Sequence, residues 1–143
     1  MAAPFRPVAL VTGASRGIGR AIARQLAARN VRVAVHYHRN RRAAEATLAT
    51  LPGTGHVLFG ADLIRPAAGR QLVGRVLQAL GRMDVLVNNA GIYELHPPDA
   101  AGFALWRKCW ERTLAANLTA SARTATSPAP PWPDSASRRR LAA

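Results

Sequence analysis

Apolar residues along this chain fall into short unbroken runs, separated by stretches where they recur every third or fourth position. Val8-Ala9-Leu10-Val11, the stretch from Val31 to Val35, Val57-Leu58-Phe59 and Val85-Leu86-Val87 are runs of the first kind. A short apolar run bounded by turn residues is what a strand buried on both faces requires. Between the runs, Ile18, Ile22, Ala23 and Leu26 predict a helix over 17–29. An Ala-rich stretch predicts a second helix over 41–51, ended by Pro52-Gly53. Leu72, Val73, Val76, Leu77 and Leu80 give the apolar face of a third, with Pro66 at its start and Gly81 at its close. Residues 102–122 read as one or two further helices.

Strands that alternate with helices form right-handed βαβ units and a parallel sheet. The expected fold class is α/β: the N-terminal half of a Rossmann-like, doubly wound parallel sheet in the order 3-2-1-4, with the C-terminal strands missing. The pattern stops near Arg123. Thr124 to Ala143 contains Pro128, Pro130, Pro131 and Pro133 and ends in Arg138-Arg139-Arg140, with neither helical nor strand periodicity. Residues 1–122 are therefore expected to form a partial Rossmann-like domain and 123–143 a disordered Pro/Arg-rich tail. The abrupt loss of pattern points to a frameshift or truncation near residue 122.

Thr12-Gly13-Ala14-Ser15-Arg16-Gly17-Ile18-Gly19 lies directly between the first predicted strand and the first predicted helix. Glycines in such a place permit a tight turn and a close backbone approach to a pyrophosphate. The helix start then offers free N–H groups and a partial positive charge to the anion. A glycine triplet in this context is a phosphate-binding signal, where a lone triplet is not.

The net charge of +13 would ordinarily suggest a polyanionic partner. Of 20 basic residues, however, all but Lys108 are arginine, and they are spread along the chain without interleaved aromatics. That distribution implies a solvated basic surface and no specific nucleic-acid site. One cysteine, Cys109, excludes an intrachain disulfide and suits a reducing cytoplasm. Neither a leader's apolar region nor a membrane span stands out, so the expected location is cytoplasmic, away from membranes. The four histidines lack metal-ligand spacing, and no metal site is expected.

The spacing G-x-x-x-G-x-G, with Thr12 before it, resembles the fingerprint of the short-chain dehydrogenase/reductase family. Further marks follow in the family's order: Asp62-Leu63 after the third strand, Asn88-Asn89-Ala90-Gly91 after the fourth, and Asn117 within Ala115-Ala116-Asn117-Leu118. The resemblance covers about residues 5–122. It implies an NAD(P)-dependent oxidoreductase acting on a small carbonyl or alcohol, with the cofactor held by Gly13, Ser15, Arg16, Gly17, Ile18 and Gly19. Asp62 and Leu63 would border the adenine, and Asn89, Ala90 and Gly91 the rest of the cofactor, with Ala90 and Gly91 near the ribose. Asn88 is expected to tie the fourth strand to its neighbour. Asp62 also suits a plain turn or N-cap role.

NAD binders place a carboxylate at the end of the second strand. Here that end reads His36-Tyr37-His38-Arg39-Asn40, with no acid before Glu45. Tyr37, His38, Arg39 and Arg16 therefore point to NADP rather than NAD, since a basic residue can pair with the 2′-phosphate. The resemblance also implies a catalytic Tyr-x-x-x-Lys and a Ser beyond Asn117. Tyr37 is followed four residues on by Arg41 and Tyr93 by Pro97, and Lys108 precedes Asn117. Asn117 is thus the one member of the catalytic set assigned, and the chain is expected to be inactive alone. The family's oligomer interface is likewise expected to be incomplete. The alternatives are a non-catalytic dinucleotide-binding remnant or, further off, a basic nucleic-acid-binding protein.

Overall fold

In the computed structural model, residues 6–65, 67–92, 104–105, 107–113 and 117 are described. Strands β1 (Val8–Val11), β2 (Arg32–Tyr37), β3 (Val57–Gly60) and β4 (Val85–Val87) alternate with helices α1 (Gly17–Ala28), α2 (Arg41–Ala49) and α3 (Ala68–Leu80). All pairings are parallel, in the order β3-β2-β1-β4. The fold is therefore the Rossmann-like α/β sheet that the apolar runs predict, with the expected 3-2-1-4 order.

Alternation along the strands divides the core into two layers. Val8 and Leu10 of β1, Ala34 of β2 and Phe59 of β3 pack with Leu72, Val73, Val76 and Leu80 of α3. On the opposite face Val11, Val33 and Val35 pack with Ala23 and Ala27 of α1 and Ala44 of α2. Both faces of the sheet are thus covered, which explains why the strands are continuously apolar rather than alternating.

The strand and helix ends carry the departures from the sequence pattern. β2 runs two residues beyond Val35, because β3 continues to pair with it as far as Tyr37 opposite Gly60. His36 therefore lies inside the strand and is buried, on the parity of Ala34 and toward α3. α3 begins at Ala68, and Pro66 lies outside the described residues. It closes as expected at Gly81, whose φ of 77° and N–H bond to the Leu77 carbonyl make a left-handed cap. The described positions within 104–113, and Asn117, are helical. Tyr93 and the 123–143 segment lie outside the described residues.

Several arginines do more than solvate the surface. Arg32 donates to the Leu80 carbonyl at the end of α3 (2.8 Å). Arg75 donates to the Gly60 carbonyl (2.9 Å) and lies over the Phe59 ring. Arg20 bridges the Thr47 hydroxyl (2.9 Å) and the Ser15 carbonyl (2.7 Å), tying α1 to α2 and to the glycine-rich turn. Part of the positive charge is thus spent on carbonyls at strand and helix ends.

Candidate functional site

The carboxyl ends of the strands open into a cleft of about 620 Å³, within the range of small-molecule and cofactor sites. Its floor is the turn between β1 and α1. Gly13 and Gly17 have φ of 64° and 56°, conformations that a side chain strains. A Cβ on Gly17 would meet nothing within 4 Å, so that glycine is required by backbone conformation alone. Gly19 is required by space: a Cβ there would lie 2.5 Å from both Asn89 Nδ2 and the Gly13 carbonyl oxygen.

The turn is fastened from three sides. Thr12, fully buried, donates its hydroxyl to the Val87 carbonyl (3.1 Å) and accepts from the N–H groups of Asn89 and Ala90 (both 2.9 Å). Asn89 Nδ2 donates to the carbonyls of Thr12 (2.9 Å) and Gly13 (3.2 Å). Asn89 thus ties the segment after β4 to the turn after β1. Ser15 offers its carbonyl to Arg20 and to the Thr47 hydroxyl.

His36 makes the third fastening. Its backbone carbonyl accepts from the Ala14 N–H (2.8 Å), and its ring Nδ1 accepts from the Gly13 N–H (3.1 Å). The other ring nitrogen, Nε2, lies 3.0 Å from the Ala61 carbonyl just past β3. A carbonyl only accepts, so these partners require the neutral Nε2–H tautomer. Burial pushes the His36 pKa down, and His38 and Arg75 add to that effect, against the Ala61 hydrogen bond that raises it.

The two helices at the cleft begin differently. The Asn40 side chain caps α2 by accepting from the Ala43 N–H (2.9 Å). Arg16 precedes α1 and supplies no such cap, and no acidic residue stands in the first turn of α1. The opening N–H groups of α1 therefore lack a side-chain acceptor of their own and face an anion-ready position.

Gly13, Ser15, Arg16, Gly17 and Ile18 line the cleft on the turn side. His38 and Arg39 line it after β2, Asp62 and Leu63 after β3, and Asn89, Ala90 and Gly91 after β4. Gly19 is buried beneath them. Tyr37 is turned away, its ring against Gly60 and among Leu48 and Leu58 on the α1–α2 face. Asn117 is helical and does not line the cleft. Asp62 combines both roles considered for it: Oδ1 accepts from the Ile64 N–H (3.3 Å) and stands 3.6 Å from His38 Nε2 at the cleft wall.

The apolar–polar pattern alone did not single out His36, Arg112 or Thr113, which also line the cleft. A histidine closing a buried apolar strand beside a glycine turn is a usable signal for the first. For the other two the chain offers none, because their helix reaches the cleft only through the fold. Thr113 accepts from the Ile92 N–H (3.3 Å), which fixes that helix to the loop after β4. Among the described residues, Arg16, Arg39 and Arg112 line the cleft against one carboxylate, Asp62, so its field favours an anion. Among the described residues no cluster could hold a metal, and no helix is long and apolar enough to cross a membrane.

The profile of the short chain dehydrogenase family matches residues 7–138, running past the point where the apolar pattern stops. A 3-oxoacyl-(acyl-carrier-protein) reductase of Synechocystis sp. is 38% identical over 121 residues, covering 83% of this chain and 47% of the relative. D-threitol dehydrogenase of Mycolicibacterium smegmatis is 39% identical over 114 residues, covering 78% and 42%. Among solved structures, a short chain dehydrogenase from Burkholderia cenocepacia J2315 in complex with NADP superposes with a TM-score of 0.73 at 38% identity, covering 83% of this chain and 49% of that one. The chain spans half or less of the length of these relatives.

Proposed function

The chain belongs to the short-chain dehydrogenase family, and from that premise we propose that its cleft binds NADP, in preference to NAD, for hydride exchange with a small carbonyl or alcohol. The observation that carries the proposal is the uncapped start of α1 above a glycine turn, with cations rather than a carboxylate after β2. The glycine turn and the α1 N–H groups would hold the pyrophosphate. His38, Arg39 and Arg16 would take the 2′-phosphate. Asp62 and Leu63 would border the adenine, and Ala90 and Gly91 the ribose. When bound, the nicotinamide supplies the hydride.

Turnover also needs a proton donor matched to neutral pH, and in this chain neither tyrosine has a lysine four residues on. We assign to these residues the binding and orientation of the cofactor, with Asn117 as a supporting polar group. Loss of general acid–base assistance typically costs about 10²- to 10⁴-fold in rate, so the chain alone is a dinucleotide binder with little or no turnover. The single cysteine agrees with a reducing, cytoplasmic setting. Specific nucleic-acid binding is disfavoured, because the arginines are spread along the chain without interleaved aromatics.

Titration of the full chain with NADPH and NADH, followed by nicotinamide fluorescence, tests the proposal. The expected result is saturable binding of both, with NADPH tighter by about tenfold or more, the size of one charge-assisted contact. Equal affinities would remove the NADP preference, and no saturable binding would remove the cofactor assignment.

A further inference from the structure

We propose that His36, in its neutral Nε2–H form, is a positioning residue for the phosphate-binding turn, setting the direction of the Gly13 and Ala14 N–H groups from beneath. The inference rests on the cofactor reading above and deepens it.

Three contacts converge on this one residue. Its carbonyl takes the Ala14 N–H and its Nδ1 takes the Gly13 N–H, so two consecutive amides of the turn are held by His36 alone. Its Nε2–H reaches the Ala61 carbonyl, past the end of β3, which anchors the ring at its far side. Ala61 in turn donates its N–H to the Tyr37 carbonyl, closing the link between β2 and β3 (3.1 Å). His36 is only 2% exposed, so water cannot replace either partner without opening the site.

Geometry makes the tautomer matter. A backbone amide has one proton, and the Nδ1 lone pair that receives it disappears on protonation of the ring. A charged His36 would aim a second donor at the Gly13 N–H, and the turn would have to shift. The charged and titratable groups facing the ring disfavour that charge, against the Ala61 carbonyl that favours it. Arg75 approaches from α3 and His38 from the same strand end. Arg16, Arg39 and Arg112 line the same cleft, and among the described residues Asp62 is the one carboxylate on its wall, already beside His38. A leucine or valine at this position would continue the apolar strand equally well, yet would leave the Gly13 N–H and the Ala61 carbonyl without these partners. A donor and an acceptor on opposite sides of one ring are what the site needs.

The test begins without cofactor. In the ¹⁵N-labelled full chain, a scalar coupling across the hydrogen bond between the Gly13 amide nitrogen and His36 Nδ1 is expected above pH 6.5, the ordinary histidine value. It should vanish reversibly as the pH is lowered through the His36 titration, with faster exchange of the Gly13 amide. His38→Gln should leave it in place. NADPH titrations then separate positioning from space filling. His36→Asn keeps an acceptor near the Nδ1 position and should hold affinity within about threefold, whereas His36→Leu should lose roughly tenfold. No coupling, a proton on Nδ1, or equal losses in the Asn and Leu variants would overturn the proposal. A wild-type chain that shows the coupling but binds no dinucleotide would instead sink the cofactor reading and leave the clamp standing.

Discussion

Asn89 and Thr12, 77 residues apart, are joined by two hydrogen bonds of 2.9 Å: the Asn89 N–H to the Thr12 hydroxyl, and the Asn89 amide to the Thr12 carbonyl. Two loops that follow β1 and β4 are thereby made one rigid piece. The Thr12 hydroxyl donates once and accepts twice, so all of its hydrogen-bonding capacity is used in a fully buried position. A site that must hold phosphate to within fractions of an ångström needs such support behind the groups that touch the ligand.

Thr12→Val tests the support directly. Valine matches threonine in shape but leaves the N–H groups of Asn89 and Ala90 without their acceptor. Each orphaned buried donor costs about 1–3 kcal/mol, so a loss of roughly 2–4 kcal/mol is expected in urea denaturation. Thr12→Ser keeps the hydroxyl and should cost less than about 1.5 kcal/mol, the scale of one buried methylene change. If the two variants unfold together, the hydroxyl is not what joins the loops.

Two glycine-to-alanine changes should move stability in opposite directions. At Gly19 the new Cβ would press on Asn89 Nδ2 and on the Gly13 carbonyl, both at 2.5 Å. The Asn89 bonds must then break or the turn must move, at a cost of about 1–3 kcal/mol. At Gly74, inside α3, a Cβ meets nothing within 4 Å. Alanine there should stabilise the chain by about 0.5–1 kcal/mol through helix propensity. Thermal melts of the two variants beside the parent would show it, and a destabilised Gly74→Ala would mean that α3 packs against something on that side.

Most of this fold was legible because each buried strand is an apolar run and each helix shows one apolar face. The order of strands followed from alternation and handedness, without any contact being known. Strand ends were less legible: the extension of β2 to Tyr37 depends on pairing with β3, a relation between distant segments. That extension changes the chemistry. It buries His36 beneath the turn, and it points Tyr37 to the Gly60 side, away from the cleft where Arg39 and His38 stand. The glycines, Asp62 and Asn89 were readable as a candidate site because turn chemistry and motif order are local. Arg112 was not, because only the tertiary fold carries its helix to the cleft wall.

The depressed pKa of His36 makes stability fall on acidification. The neutral ring is favoured in the folded chain, mainly by burial, while the unfolded chain titrates at the ordinary value of 6.5. Between the lowered folded value and 6.5 the unfolded state binds more protons, so stability rises with pH across that window. The contribution is fully present above 6.5 and is lost as the pH falls toward the folded value. Denaturation midpoints should therefore drop below pH 6.5 in the parent chain more steeply than in His36→Asn, which has no ring to titrate. Parallel curves for the two would place the acid sensitivity elsewhere.

Arg39 offers the sharpest separation of phosphate attraction from phosphate recognition. It follows β2 beside His38 and lines the cleft, where a carboxylate would instead suit a free ribose hydroxyl. Arg39→Asp removes a cation and supplies that carboxylate in one step. If Arg39 pairs with the 2′-phosphate, NADPH affinity should fall by about ten- to a hundredfold, the range for a hydrogen bond to a charged group. NADH, which lacks that phosphate, should change by less than about threefold under the same conditions. General electrostatic attraction predicts something different: both dinucleotides would weaken together, and added salt would erase the effect for both. Paired titrations at low and high salt distinguish these outcomes. A loss confined to NADPH that survives salt would assign Arg39 to recognition, whereas a shared, salt-sensitive loss would leave it as one more charge in a basic cleft.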